Sequence, residues 1–119
     1  ASALSRYLAD ARARSEIVAG YSAASRTSAL LQLGHVSADD LVSIADAAPG
    51  LHGRTMSGSR IPIVSPAELI ARRPDKVLLF VPDLLDEVRR TLPEIERNGG
   101  RWVVLDPMPR EIAPAVVTQ

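Results

Sequence analysis

The sequence predicts a three-layer α/β fold, in which a parallel sheet carries helices on both faces. Short apolar runs alternate with helical patterns along the chain, which is typical of parallel strands joined by crossover helices. The run KVLLFV at 76–81 is apolar at successive positions, so we expect a strand that is buried on both faces. The 119 residues, 46% of them apolar, are enough for one domain over 1–119 with its own core.

The first part of the chain predicts a helix, a strand, a helix and a second strand. The first helix covers 2–16, where apolar side chains recur with helical spacing at Leu4, Tyr7, Leu8 and Ala11. A short apolar strand follows at 17–21. Ser25 can cap a helix over 26–33, and Gly34 ends it. The second strand covers 41–45.

The middle of the chain predicts a long loop, an edge strand and a capped helix. Residues 47–60 are rich in glycine and small side chains, which favours a surface loop. The segment IPIV at 61–64 contains a proline and is therefore expected at a sheet edge. Ser65 caps the next helix, Pro66 takes its first position, and Glu68 completes a capping box.

The last part of the chain predicts a helix with a break, a strand and a tail. A long amphipathic helix begins at Asp83, and Pro93 should kink it or start a fresh turn. Its apolar face carries Leu84, Leu85, Val88, Leu92 and Ile95. The segment 98–100 ends this helix, and 101–107 is the last buried strand. The tail over 108–119 has at most one short edge strand.

Right-handed crossovers give these strands the order 3-2-1-4-5, as in a Rossmann-like sheet. In such sheets ligands bind outside the carboxyl ends of the strands, where the strand order reverses. Residues 20–28, Asp46 and residues 81–83 are expected at that edge. The segment GYSAASRTS at 20–28 is therefore the first candidate for a binding loop.

Composition removes several classes of function. The formal net charge is zero and aromatic residues make up 3%, which argues against a nucleic-acid interface. The chain has no cysteine, so disulfides and cysteine zinc sites are excluded and a reducing cytoplasm is favoured. His35 and His52 lack the spacing of metal ligands. No apolar run reaches the roughly 20 residues that span a bilayer, and we expect a soluble cytoplasmic domain.

Two enzymatic interpretations of the 20–28 loop find little support. A dinucleotide fingerprint needs three glycines, and this loop has only Gly20, although Asp46 occupies the place of a ribose-binding acid. The segment GYSAA is similar to a nucleophile elbow around Ser22, but Ala24 replaces the closing glycine and no histidine is placed to act on the serine.

A polar or anionic ligand remains possible for this loop. Backbone N–H groups at the start of the 26–33 helix and the side chain of Arg26 could bind a phosphate, together with the hydroxyls of Ser22, Ser25, Thr27 and Ser28. In the alternative interpretation Ser25 only caps the helix, the other hydroxyls face water, and Arg26 pairs with an acid. The loop alone leaves both open.

The order of these motifs resembles the C-terminal domain of the S-adenosylmethionine-dependent C-methyltransferases that act on nucleotide-linked deoxysugars. The resemblance runs from Ile17 to Ile112. The first two motifs match at Gly20, Tyr21, Ala23, Asp46, Pro49, Gly53, Gly58, Ile61, Pro62, Ile63, Ser65 and Pro66. The later ones match at Asp86, Glu87, Val88, Gly99, Gly100, Arg101, Trp102, Val103, Val104, Pro107 and Pro109.

The sequence departs from this family pattern at several positions. Ser22 and Thr27 replace glycines, and Arg26 replaces a lysine. Leu51 stands where a lysine is frequent, and residues 82–83 replace a Trp-Asn pair. A side chain at position 22 takes some of the space that a bound phosphate would use, while Arg26 keeps the charge of lysine with a different geometry.

The resemblance implies a module of a longer enzyme that transfers a methyl group to a carbon of a nucleotide-linked ketosugar. S-adenosylmethionine and the catalytic base would belong to a central methyl-donor domain, which this module would contact. We therefore expect no catalytic residue, no metal and no cofactor in this chain, and no activity when it is isolated. The expected substrate contacts are Gly20, Tyr21, Ser22, Ser25, Arg26 and Asp46. A structural scaffold domain and a free-standing nucleotide-binding module are the alternatives.

Overall fold

The computed structural model describes residues 3–23, 25–105 and 108–114, without the side chains of Ser25 and Arg26. Its helices are α1 (Ala3–Ala13), α2 (Ser25–Leu33), α3 (Pro66–Ala71), α4 (Leu85–Thr91) and α5 (Glu94–Arg97). Its strands are β1 (Val18–Tyr21), β2 (Ile44–Ala45), β3 (Ile63–Val64), β4 (Lys76–Leu79), β5 (Arg101–Leu105) and β6 (Pro109–Glu111). The predicted end of the last strand at 106–107 lies outside the described residues.

The strands form one sheet in the order β3-β2-β1-β4-β5-β6. Strands β1 to β5 are parallel, with Gly20 opposite Ile44 on β2 and Leu78 on β4. The predicted order 3-2-1-4-5 is therefore confirmed. The tail adds β6 as an antiparallel edge strand next to β5, with Leu105 opposite Pro109.

Helices cover both faces of the sheet, as the apolar run at 76–81 predicted. One face packs on α1 and α2, and its core includes Leu8, Leu31 and Phe80. The other face packs on α3, α4 and α5, and its core includes Leu69 and Trp102. Successive residues of β4 point into opposite cores, because side chains alternate along a strand, and this explains why the strand is apolar throughout.

Two local sequence signals have their predicted effect. The Ser65 hydroxyl accepts a hydrogen bond from the Glu68 N–H at 3.1 Å, which caps α3, and Pro66 is its first residue. Pro93 divides the predicted long helix into α4 and α5, because a proline has no N–H to donate within a helix. Of the two outcomes predicted at Pro93, a kink or a fresh turn, the structure shows the fresh turn.

The segment 47–60 is a largely exposed loop with some local order. It begins with a short 3₁₀ helix at Pro49–Leu51, and a β-bridge joins Thr55 to Pro62. The Met56 N–H donates to the Ile61 carbonyl at 2.8 Å, and both side chains are buried. The predicted surface loop is therefore confirmed, and within it the buried Met56 side chain anchors the segment on the core.

The direction of α1 determines which end of the chain lies at which edge of the sheet. Its first turn lines a surface depression with Met108 and Pro109, next to the carboxyl end of β5. Just beyond its other end, Glu16 contacts Lys76, the first residue of β4, at 3.2 Å. The start of α1 therefore lies at the carboxyl edge of the sheet, where ligands bind in folds of this class.

Candidate functional site

The predicted binding loop and its neighbours meet at the carboxyl edge of the sheet. β1 lies between β2 and β4, so the residues after Tyr21, Ala45 and Leu79 leave the sheet side by side. The chain turns toward α2 after β1 and toward α4 after β4, on opposite faces. The strand order reverses at this point, which is where a crevice forms in sheets of this kind.

Asp46 holds the backbone of two loops at this edge. One carboxylate oxygen accepts the Ala23 N–H at 2.7 Å, and the other accepts the Ala48 N–H at 2.9 Å. The Asp46 carbonyl oxygen lies 2.7 Å from Nε2 of His52. The side chain is only partly buried, and each carboxylate oxygen can accept a second hydrogen bond. Asp46 can therefore order the loops and still accept a hydroxyl from a ligand.

Ser22 is the residue at which the chain turns out of β1. Its φ is 82°, in the left-handed region that favours glycine. Its N–H donates to the Ala45 carbonyl at 2.8 Å, and its own carbonyl accepts the Thr27 hydroxyl at 2.9 Å. The conformation expected of a glycine is thus retained with a serine, at the position where the family pattern has a glycine.

Gly20 lies within β1 and is buried. A Cβ at this position would lie 2.9 Å from the ring of Phe80 and 3.2 Å from the side chain of Ile44. The glycine is therefore required by packing on the α1–α2 face of the sheet. Its predicted contact with substrate stays a prediction.

Tyr21 points to the opposite face of the sheet, where its ring meets the Trp102 ring edge to face with centroids 6.1 Å apart. Burial raises the pKa of Tyr21, and the charges of Asp46 and Glu87 raise it further. The phenol therefore stays protonated at neutral pH, as a hydrogen-bond donor at the end of β1.

Two of the loop hydroxyls, those of Thr27 and Ser28, donate hydrogen bonds to backbone carbonyl groups. Thr27 is fully buried and donates to the Ser22 carbonyl, so its proposed contact with a phosphate was wrong. The Ser28 hydroxyl donates to the Ser57 carbonyl at 3.1 Å. α2 begins at Ser25, while the side chains of Ser25 and Arg26 lie outside the described atoms. Their contacts with substrate stay predictions.

An open surface cavity of about 490 Å³ lies between α2 and the segment 55–57, next to the candidate loop. Its lining is formed by Ala23, Ser28, Ala29, Gln32, Thr55, Met56, Ser57 and Ile63. Sequence reasoning missed it, since 47–60 was taken as a surface loop. Met56, as an apolar side chain within a glycine-rich segment, was the signal that this segment turns back onto the core.

Two further properties bear on what this part of the chain can bind. In residues 3–23, 25–105 and 108–114, no group of three or more His, Cys, Asp or Glu side chains is placed to hold a metal ion. The helices described over the same ranges are too short or too polar to cross a membrane.

Comparison with known proteins assigns the chain to a family. A family model for the C-terminal domain of C-methyltransferases matches residues 1–109. C-methyltransferase NovU from Streptomyces niveus is 35% identical over 96 residues, which are 81% of this chain and 23% of that protein. The chain thus spans less than a quarter of that relative's length. It belongs to the family of C-methyltransferase C-terminal domains.

Proposed function

We propose that this chain is the substrate-binding C-terminal domain of an S-adenosylmethionine-dependent methyltransferase that acts on a nucleotide-linked deoxysugar. The observation that carries the proposal is the position of Asp46. Its carboxylate fixes the loop after β1 through the Ala23 N–H and remains partly exposed at the edge where the strand order reverses. A carboxylate in this place is suited to accept hydroxyl groups of a sugar or ribose.

The other proposed contacts are of two kinds: a cationic side chain for the diphosphate, and side-chain hydroxyls. Arg26, in the first turn of α2, supplies the cation for a diphosphate, beside Ser25. Tyr21 and Ser22 supply hydroxyls at the end of β1, and both are partly buried. Gly20 is covered by Phe80, so its contribution is to let β1 pack closely beneath the loop.

S-adenosylmethionine and the methyl-transfer chemistry are assigned to a preceding methyl-donor domain, which this domain contacts. The loop after β1 fits a methyl donor poorly. The N–H groups of Ser22 and Ala23 are used by Ala45 and Asp46, and the ring of Phe80 fills the space above Gly20. The methyl-donor domain would also supply the base that removes a proton from the sugar carbon, and this chain alone is expected to be inactive.

A scaffold role is the second candidate, and one observation favours it. The N–H groups of Ser22 and Ala23 already donate to protein acceptors. The buried Thr27 hydroxyl likewise donates within the loop, so these three groups have partners without a ligand. A loop whose polar groups serve only these internal hydrogen bonds would stabilise the enzyme without contacting the substrate.

Binding measurements with two arginine variants separate these functions. Isothermal titration calorimetry would compare the unmodified chain with Arg26→Ala and with Arg90→Ala, using a thymidine diphosphate sugar. Arg90 is exposed on α4, so its removal is a matched loss of one charge. We expect Arg26→Ala to weaken binding at least tenfold and Arg90→Ala to leave it unchanged. Equal affinities, or no binding by the unmodified chain, would support the scaffold.

A further inference from the structure

Residues 109–113 lie along the outer edge of β5, and we call this segment the strap. Only Pro109 and Ile112 are partly buried within it, while its other residues are exposed. Its backbone pairs with β5 through β6 and through the Ile112 N–H, which donates to the Trp102 carbonyl at 2.9 Å. The strap therefore buries little apolar surface, which is a property of segments that open before the rest of a fold.

One polar anchor joins the strap to α1 and β4. The Glu111 carboxylate accepts the Tyr7 hydroxyl at 2.8 Å and lies 3.7 Å from the Lys76 ammonium nitrogen. Lys76 also has a closer partner, because the Glu16 carboxylate contacts it at 3.2 Å. If the strap leaves, the largely buried Lys76 keeps this second carboxylate. Opening therefore leaves no buried cation without a partner, which would be the costly outcome.

A second polar anchor has the same property. Nη2 of Arg89 donates to the Ala113 carbonyl at 3.1 Å. The same guanidinium also donates to both carboxylate oxygens of Glu96, from Nε at 3.1 Å and from Nη2 at 2.9 Å. A bidentate pair of this kind is stronger than a single bond to a neutral carbonyl. Arg89 therefore stays bound to Glu96 on α5 when Ala113 is released.

The strap makes its apolar contact on one face of the sheet. Ile112 stands opposite Trp102 in the antiparallel pair, so the two side chains lie on the same face. Trp102 is fully buried, and its ring meets the Tyr21 ring with centroids 6.1 Å apart. Release of the strap would uncover one side of Trp102, whose other contact lies at the end of β1.

We propose that the strap opens as one unit while the five parallel strands stay folded. In the open state Lys76 pairs with Glu16 and Arg89 pairs with Glu96, so both cations keep the partners that they already have. The closed and open states are thus two discrete arrangements of the same ionic groups. The device belongs to the chain alone and needs no ligand.

The open state makes one edge of the sheet available for pairing. Trp102 directs its carbonyl to the strap, and Val104 points the same way because backbone groups alternate along a strand. Val104 stands opposite Arg110. Val103, between them, directs its N–H to β4. Opening of the strap therefore controls whether the outer edge of β5 can accept another strand.

Native-state hydrogen exchange, followed by NMR on the unmodified chain, tests the strap. The amides of Ile112 and Val104 report its opening, and that of Val103 reports the parallel sheet. Gly20, whose N–H donates to the Ser43 carbonyl at 2.9 Å, reports unfolding of the whole domain. We expect Ile112 and Val104 to lose protection together, at least about 100-fold below Val103 and Gly20. Low urea concentrations should leave their rates unchanged, because local opening exposes little surface.

Two results would overturn the proposal. In the first, Ile112 and Val104 exchange only at the rate and with the urea dependence of Gly20, so that the strap opens with the whole domain. In the second, Ile112 exchanges fast while Val104 stays as slow as Val103, which describes a fraying chain end rather than a strap that opens as a unit.

A variant of the first anchor gives the second part of the test. Glu111→Gln keeps an acceptor for the Tyr7 hydroxyl and removes the charge that faces Lys76. Glu94→Gln is the matched control, since it removes one carboxylate at an exposed position of α5.

The two variants should differ at the amides that report the strap. We expect Glu111→Gln to speed exchange of Ile112 and Val104 by the same factor, about two- to fivefold, and to leave Gly20 unchanged. The control should change none of the three amides. A response of Ile112 without Val104, or no response of either, would contradict a strap that Glu111 holds closed.

Discussion

The carboxylate of Asp46 accepts the N–H of Ala23 at 2.7 Å and so joins the loop after β2 to the loop after β1. These loops leave neighbouring parallel strands, and the bond fixes their spacing at the point where the strand order reverses. The acid that the sequence suggested as a ribose contact therefore has a structural role, and a substitution at this position will change the stability of the loops.

We expect Asp46→Asn to destabilise the fold. An amide has one acceptor oxygen, so the Ala23 and Ala48 N–H groups would lose one charge-assisted partner, at a cost of about 1–3 kcal/mol in the free energy of unfolding. Urea denaturation measures this change. Asp39→Asn, at an exposed position, is the control and should have little effect. Equal stability of the two variants would mean that the Asp46 bonds add nothing.

Ser22→Gly should stabilise the chain. The left-handed backbone at Ser22, with φ of 82°, costs a non-glycine residue about 1–2 kcal/mol. The greater freedom of glycine in the unfolded chain returns about 0.4–1 kcal/mol of this, so we expect a net gain of about 0.5–1 kcal/mol.

Thermal and urea denaturation of Ser22→Gly would be compared with Ser57→Gly, since Ser57 is not among the residues with positive φ. The control should lose stability because its glycine gains only unfolded-state entropy. A loss of stability in Ser22→Gly would show that the serine side chain contributes more than its backbone strain costs.

Gly20→Ala should destabilise by about 1–3 kcal/mol, because the new methyl group overpacks the core against Phe80 and Ile44. Gly50→Ala is the matched control, since nothing lies within 4 Å of a Cβ there. Adding Phe80→Leu to Gly20→Ala should recover part of the loss, which urea denaturation of the single and double variants would detect. No loss in Gly20→Ala would contradict a packing role for this glycine.

The two tyrosines of the chain should make its stability fall at alkaline pH. Burial raises the pKa of Tyr7, and a hydrogen bond from its hydroxyl to Glu111 at 2.8 Å raises it further. The pKa of Tyr21 is raised mainly by burial. The folded state thus holds both protons more tightly than the unfolded state, in which tyrosine titrates near pH 10. Their stabilising contribution is complete below about pH 10 and is lost as the pH rises toward the folded-state values.

Phenolate absorbance against pH measures this effect. The native chain should titrate at higher pH than the same chain in guanidinium chloride, and Tyr7→Phe should remove part of the difference. Coincident titrations in the two states would contradict the raised pKa values.

Most of the fold could be predicted from the sequence, because each clear sequence pattern acts on residues close to it in the chain. The Ser65-Pro66 start of α3 and the interruption at Pro93 depend on backbone groups close in the chain, and the two-sided apolar run at 76–81 required helices on both faces. The pairing of β6 did not follow because the last buried strand was predicted to run to 107, whereas β5 ends at Leu105 and β6 begins at Pro109. A connection this short allows only an antiparallel pair.

The candidate site was less predictable because its contacts join residues far apart in the sequence. The serine and threonine pattern of the loop did not distinguish a hydroxyl that meets solvent from one that is buried, as Thr27 is. Gly20 was read as part of a turn, whereas Phe80, sixty positions away, explains it. The cavity depends on the pairing of Gln32 with Ser57, which no local pattern indicates.

The central claim is that the carboxyl edge of this domain binds a nucleotide-linked sugar and leaves the methyl donor to another domain. Amide NMR titration of the chain with a thymidine diphosphate sugar, and separately with S-adenosylmethionine, tests it most directly. We predict saturable shifts at residues 20–28 and at Asp46 with the sugar nucleotide only. Silence with both ligands, or shifts of the same amides with S-adenosylmethionine, would contradict the claim.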